Sequence, residues 1–459
     1  MLFHTWVFAV FFLIVYPVHL ATRHTRLKLP WLLFASYVFY GWWNPLYLLL
    51  IITSTSADYL AVLGMSHSRR KKPWVALSVV INLGMLGFFK YAGFVTRSLN
   101  DLFAALGVPY AVPVPDILLP VGISFFVFQS MTYTIDCYRG QMDEEPNFIR
   151  YATYVSLFPQ LVAGPIERST NLLRQLRETP KITRHDVADG LSLFLVGLFK
   201  KRALADYLAL YVDHAYARPD QFDGLALLLA TVAFGWQIYF DFSGYTDMAR
   251  GLGRMMGLRI MLNFNNPYLA TGLGDFWRRW HISLSTWFKD YVYLPLGGNR
   301  KGEARTYVNM ALTMVISGLW HGASWTFVIW GGLHALGRVA TRKLEMTRFY
   351  IEQIPTAVKR LLVFAFVTFA WIFFRARTVG DAWLIVRRIF GAAWADPRFP
   401  LLALGLLAAV WAYQWIYESR LRGALLGSAP VRIALAVFMA LYVAGCCGAA
   451  DKAFIYFQF

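Results

Sequence analysis

The stretch at 312–332, LTMVISGLWHGASWTFVIWGG, holds one ionisable side chain, His321. Its length matches the roughly 20 residues that cross a hydrocarbon core of about 30 Å. A titratable ring in such a segment is costly unless it meets a partner or a wet cavity. Two readings follow: an imidazole bonded to a neighbouring helix backbone, or a general base at the bottom of a pocket. Neutral imidazole takes up a proton near pH 7, which few side chains do.

A second histidine, His281, lies in FWRRWHISLSTWFKDY. An interfacial amphipathic helix accounts for its neighbours, with Arg278 and Arg279 toward lipid phosphates and Trp277 and Trp280 among headgroups. It does not account for the histidine, since any polar residue would serve there. A third group, QIYFDFSGYTDMARGLG, places Asp241, Ser243, Tyr245, Asp247 and Arg250 in an otherwise apolar helix. Asp247 and Arg250 are spaced to share a helix face, and Asp241 needs a cavity or a cation. Polar glue between helices is an equal alternative for this group. LPLGGNRKGE has glycines before Asn299, Arg300 and Lys301, but no nucleotide-binding pattern surrounds it, and a basic hairpin explains it as well. Gly164-Pro165 in FPQLVAGPIERS marks a kink or a re-entrant end. The sequence closes on DKAFIYFQF, aromatic to its last residue, which should be buried in protein, interface or groove.

These groups have to be positioned by membrane helices. Of the 459 residues, 58% are hydrophobic and only 15% are charged, against about 25% charged in soluble domains. The chain therefore reads as a polytopic membrane protein. Apolar segments begin near Thr5, Trp31, Pro45, Trp74, Ile117, Phe148, Gly190, Leu225, Tyr307, Leu361, Leu401 and Arg432. They give about ten to twelve crossings, some too short to span alone. The net charge of +18 falls mostly in short runs such as TRHTRLKLP and SHSRRKKPW. The positive-inside rule explains these runs and puts them in the cytoplasm, without nucleic-acid binding. The three cysteines, Cys137, Cys446 and Cys447, have no metal-ligand spacing and form no disulfide framework. The first apolar segment lacks a basic n-region and a cleavage site, so it reads as a retained helix. The 263–305 stretch breaks the pattern of spans. Irregular backbone at membrane depth survives only when buried in protein or lining a wet cavity, so the floor of an active site is expected there. No repeat appears, and residues 1–459 read as one membrane domain ending in the aromatic 454–459 motif.

At DFSGYTDMARGLG, at FWRRWHISLSTWFKDYVYLPLGGNR and at GLWHGASW the chain resembles the membrane-bound O-acyltransferase family. The match extends to FASYVFYGWW, FFKYAGF, LPVGISFFVFQSMTYTIDCYRG and FPQLVAGPIER, almost the whole chain. It is most similar to the bacterial branch that O-acetylates alginate and related exopolysaccharides, with teichoic acid D-alanyl transferases more distant.

The resemblance implies an all-α integral membrane protein, a bundle of about ten to twelve tilted helices with re-entrant segments around a central funnel or tunnel. It implies His321 as the catalytic histidine and His281 as its partner. The donor would be acetyl-CoA or another acyl thioester entering from the cytoplasm, with no permanently bound cofactor and no metal. The acceptor would be a polysaccharide outside a bacterial inner membrane, with an SGNH-hydrolase-like periplasmic partner completing the transfer. Tyr456 matches the tyrosine of a terminal acyl-relay motif. From charge, Arg278, Arg279, Lys289 and Arg300 are expected on the donor phosphates, and Asp241, Trp320 and Ser285 along the substrate path. Peptidoglycan, cellulose and teichoic acid are alternative acceptors. A proton-coupled transporter using His321, His281 and Asp241 is the alternative of another class. The sequence shows no inverted repeat in its favour.

Overall fold

A computed structural model describes residues 1–391, 395, 397–446 and 454–455. All regular structure among them is helical. Among the described residues, five helices are long and apolar enough to cross a membrane: Tyr47–Ser66, Lys72–Ala105, Gly224–Met255, Thr356–Arg375 and Leu401–Glu418. Trp6–Thr22 and Ala429–Gly445 are shorter apolar helices. Lys28–Gly41 has 14 residues, or about 21 Å at 1.5 Å per residue, less than the hydrocarbon thickness. The chain divides into two compact units, Met1–Phe194 with Met248–Met261, and Leu195–Asp247 with Leu262–Phe459.

In the first unit a buried carboxylate ties three helices together. Asp58, on Tyr47–Ser66, accepts hydrogen bonds from Ser78 and Asn82 of Lys72–Leu86 and from Ser130 of Ile123–Tyr138. Ser54 donates to Asn82 at 2.6 Å, and the Tyr151 hydroxyl lies 2.9 Å from Ser130. Helices that would slide on apolar faces alone are thereby held in one register, because a shift would strand several buried donors. The re-entrant expectation at 157–168 corresponds to a single helical turn, Phe158–Leu161, followed by extended backbone. Glu167 there is fully buried. It accepts from the Met261 amide and from Asn171. Gly122, at φ 77°, starts Ile123–Tyr138, and a Cβ there would lie 3.1 Å from the Leu161 carbonyl oxygen.

The second unit contains an antiparallel hairpin of Glu303–His321 and Trp325–Leu344. Small residues let the two backbones touch. A Cβ on Gly318 would sit 2.3 Å from the Phe327 carbonyl oxygen, and one on Gly331 2.5 Å from that of Met314. The 263–305 stretch is irregular, largely buried as far as Phe288 and mostly exposed or half-buried beyond it. It carries the short helices Leu273–Arg279 and Ile282–Phe288 and a π-turn at Lys289–Tyr293. Tyr268 donates to Gly235, Arg360 to the Leu269 carbonyl at 3.1 Å, and Glu345 accepts from the Leu273 amide at 2.8 Å. Such bonds are what non-helical backbone needs away from water.

Candidate active site

His321 is not in the middle of a crossing, as an unbroken reading of 312–332 would place it. The helix ends on His321, Gly322 turns into extended backbone, and a new helix begins at Trp325. The reason is steric. A Cβ at position 322 would lie 2.1 Å from the Phe327 ring, so only glycine lets the chain fold back here. His321 therefore occupies the tip of a hairpin, where the backbone is fixed from both sides. Its ring lies 5.1 Å from Trp320, 5.1 Å from Trp330 and 5.3 Å from Phe374, centroid to centroid.

His281 is placed by a different device. It separates Leu273–Arg279 from Ile282–Phe288 and has φ 42°, ψ 55°, in the left-handed region. A non-glycine residue there is strained and is held only by its surroundings. Asn263 supplies the restraint. Its side-chain oxygen accepts from the Ser283 amide at 3.1 Å and from the Ser283 hydroxyl at 2.9 Å, and lies 3.2 Å from His281 Nδ1. The amide donor identifies that atom as the oxygen, so Nδ1 must carry a proton to bond to it. The neutral ring then presents Nε2 as its acceptor. Phe242 meets the ring edge-on at 4.6 Å.

The two histidines are brought together, 6.4 Å between ring centroids, with Trp320 6.0 Å from His281. Both are buried, at 0% and 3% exposure. An aromatic shell surrounds them, in which Trp330 stacks on Trp371 at 5.8 Å and Trp280 lies 5.1 Å from Trp371. The buried indole nitrogens of Trp277, Trp280, Trp330 and Trp371 have no hydrogen-bond partner among the described residues. Neither ring nitrogen of His334 has one either. His334 is fully buried, 4.8 Å from Trp330 and 5.0 Å from Trp277. A donor left unmade in an apolar interior costs about 1–3 kcal/mol. Five such residues in one shell suit a polar ligand or water better than a hydrocarbon filling. Sequence reasoning passed over His334, although Trp330 and His334 are four apart on one helix and hence on one face.

The other expected residues divide. Asp241 is buried and, of the cavity or cation expected for it, meets a cation, Lys201 Nζ at 2.7 Å. Asp247 pairs with the adjacent lysine, Lys200, at 2.6 Å. Ser285 donates to the Trp280 carbonyl at 3.1 Å and so ties the break at His281. Arg279 is committed to two carboxylates, Asp275 at 3.1 Å and Glu418 at 2.6 Å. Arg278, Lys289 and Arg300 are exposed, in contrast to the buried histidine pair, and Arg278 reaches Asp275 only at 3.8 Å. Phe454 and Ile455 are buried, as their aromatic context suggests. Tyr456 lies outside the described residues.

The geometry is that of two apposed imidazoles, one with a fixed tautomer, in a buried aromatic shell. It suits proton transfer to or from a reacting hydroxyl. Comparison with known sequences points the same way. The profile of the membrane-bound O-acyltransferase family matches residues 119–379. The chain is 44% identical over 367 residues to the "Probable alginate O-acetylase AlgI" of Azotobacter vinelandii, covering 78% of this chain and 72% of that relative. It is 34% identical to the peptidoglycan O-acetyltransferase of Helicobacter pylori, over 79% of this chain and 73% of the relative. A teichoic acid D-alanyltransferase of Bacillus subtilis is 25% identical, over 63% and 78%. The chain belongs to the membrane-bound O-acyltransferase family, and it is an O-acyltransferase.

Proposed function

We propose that this enzyme moves an acetyl group from a cytoplasmic thioester, acetyl-CoA, toward the hydroxyls of an extracytoplasmic polysaccharide of the alginate type. The observation that carries the reading is the apposition of His281 and His321 at 6.4 Å inside the aromatic shell. A hydroxyl is a poor nucleophile until a base takes its proton. His321 accepts that proton as the oxygen attacks the thioester carbonyl. The C–O bond forms, the C–S bond breaks, and the proton passes to the leaving thiolate. His281, with Nδ1 held by Asn263, orients the acceptor or steadies the oxyanion. Similarity to alginate O-acetylases supports the acceptor, and the peptidoglycan O-acetyltransferase relative supports a second one.

The fuller reading places both units in one catalytic domain, residues 1–459, of a bacterial inner membrane. About ten to twelve crossings surround a funnel, the donor enters from the basic side, and Tyr456 relays the acyl group to an SGNH-hydrolase-like partner. The family match supports a single domain, since residues 119–379 draw on both units. The test is acetyl-CoA turnover by the purified full chain. His321→Gln should lower it by roughly 10²–10⁴-fold. Undiminished turnover overturns the assignment, and proton flux without thioester turnover replaces it with a transporter.

A further inference from the structure

Asp241 lies within Gly224–Met255, a helix apolar enough to span a membrane, and is 3% exposed. A lone carboxylate there would be strongly unfavourable. One oxygen, Oδ1, is neutralised by Lys201 at 2.7 Å, and the same ammonium reaches Asp206 at 3.0 Å. Lys201 stands in the π-turn Lys200–Ala205, which directs the two consecutive lysines to different aspartates of one helix. The other oxygen, Oδ2, accepts the backbone amide of Ile455 at 2.7 Å, across 214 residues of sequence. Phe454 packs beside it, 5.5 Å from Phe242 and 5.2 Å from Tyr245. Phe242 is itself the ring that meets His281 at 4.6 Å. The anchored segment is therefore one aromatic ring removed from the histidine pair.

We infer that Asp241, charged and oriented by Lys201, is a positioning residue that docks the 454–455 segment against the wall of the His281–His321 site. A backbone amide is a sequence-independent handle, so the carboxylate fixes where the segment sits while Phe454 packs on Phe242 and Tyr245. Charge-assisted bonds of this kind are stronger than neutral ones, enough to hold the segment in place. The role in turnover rests on the acyltransfer reading. The docking itself does not.

Two measurements on the full chain test this separately. A benzophenone amino acid replacing Phe454 should photo-crosslink to the peptide containing Phe242 and Tyr245. Asp241→Asn combined with Lys201→Met, which removes both charges together and leaves Asp206 its contact with Arg202, should reduce that crosslink roughly ten-fold. An unchanged yield overturns the docking, whatever the enzyme does. Acetyl-CoA turnover then supplies the second readout. The charge-neutral pair and a chain lacking 454–459 should each lower turnover by a similar factor, and the two changes combined should lower it no further. Multiplying losses would show that Asp241 acts independently of the segment and would overturn the positioning role. A parent chain that turns over no thioester would refute the acyltransfer reading and leave the crosslink to decide the docking.

Discussion

Asp58 in the first unit and His321 in the second are both buried ionisable residues on apolar helices, and their surroundings are opposite. Around Asp58, three residues from two other helices donate to the two carboxylate oxygens. Around His321 are the faces and edges of Trp320, Trp330 and Phe374, in a shell whose indole donors at Trp277, Trp280, Trp330 and Trp371 find no acceptor among the described residues. A saturated polar group fixes helices to one another and has no capacity left for a ligand. An unsaturated shell is less favourable by itself and gains on binding. The two units thus hold buried polarity differently: one saturates it between helices, the other encloses it in aromatic rings.

That contrast can be broken most directly at its two poles. His321→Gln should lower acetyl-CoA turnover by roughly 10²–10⁴-fold while leaving the melting temperature of the detergent-solubilised protein nearly unchanged. Asp58→Ala should do the reverse. Stranding the donors of Ser78, Asn82 and Ser130 should cost on the order of 3 kcal/mol of stability, with turnover per folded molecule retained. If Asp58→Ala abolished turnover without lowering the melting point, the division between scaffold and site would be wrong.

Glu167 sharpens the same point through pH. Burial pushes its carboxyl up from the usual range to about 7, although the Met261 amide, Asn171, Arg168 and Arg250 oppose the shift. The folded state therefore holds a proton that the unfolded chain releases near 4.5. Its favourable contribution is complete below that value and is lost as pH rises to about 7. Thermal melts should show stability falling across this window by up to about 3 kcal/mol, and Glu167→Gln should flatten the profile. An equally steep profile in the variant would assign the pH dependence elsewhere. Asn263→Ala should free the His281 tautomer and reduce turnover roughly ten-fold, with KM for the thioester little changed if Asn263 acts on the ring alone. The smallest effect is expected at Arg278, exposed and loosely paired. Arg278→Ala should alter turnover less than about two-fold. A large rise in KM would restore it to the donor phosphates.

Much of the helical plan was legible in the sequence. Each of the twelve apolar segments has a helix in it, from Trp6–Thr22 to Ala429–Cys446, but among the described residues only five helices are long and apolar enough to cross a membrane, because an apolar run announces a helix and not its length. The irregular 263–305 stretch was legible for the complementary reason, an aromatic and charged run without a span. The break at His321 was not. Leu312 to Gly332 is apolar on both sides of the turn, and hydropathy does not register that Gly322 leaves room for the Phe327 ring. The partner of Asp241 was equally hidden, since Lys201 comes 40 positions earlier and Ile455 comes 214 positions later. Only the need for a cavity or a cation could be read. His334 had a signal, its spacing from Trp330, but that spacing is shared by ordinary core positions.

The left-handed backbone at His281 carries a lesson for anyone dissecting this pair by substitution. Alanine at that position removes the imidazole but still bears the torsional penalty, so its phenotype would mix lost chemistry with a loosened bend. Glycine relaxes the bend, and asparagine tolerates it. A set of three replacements at one codon therefore separates what the ring does from what the curve of the chain does.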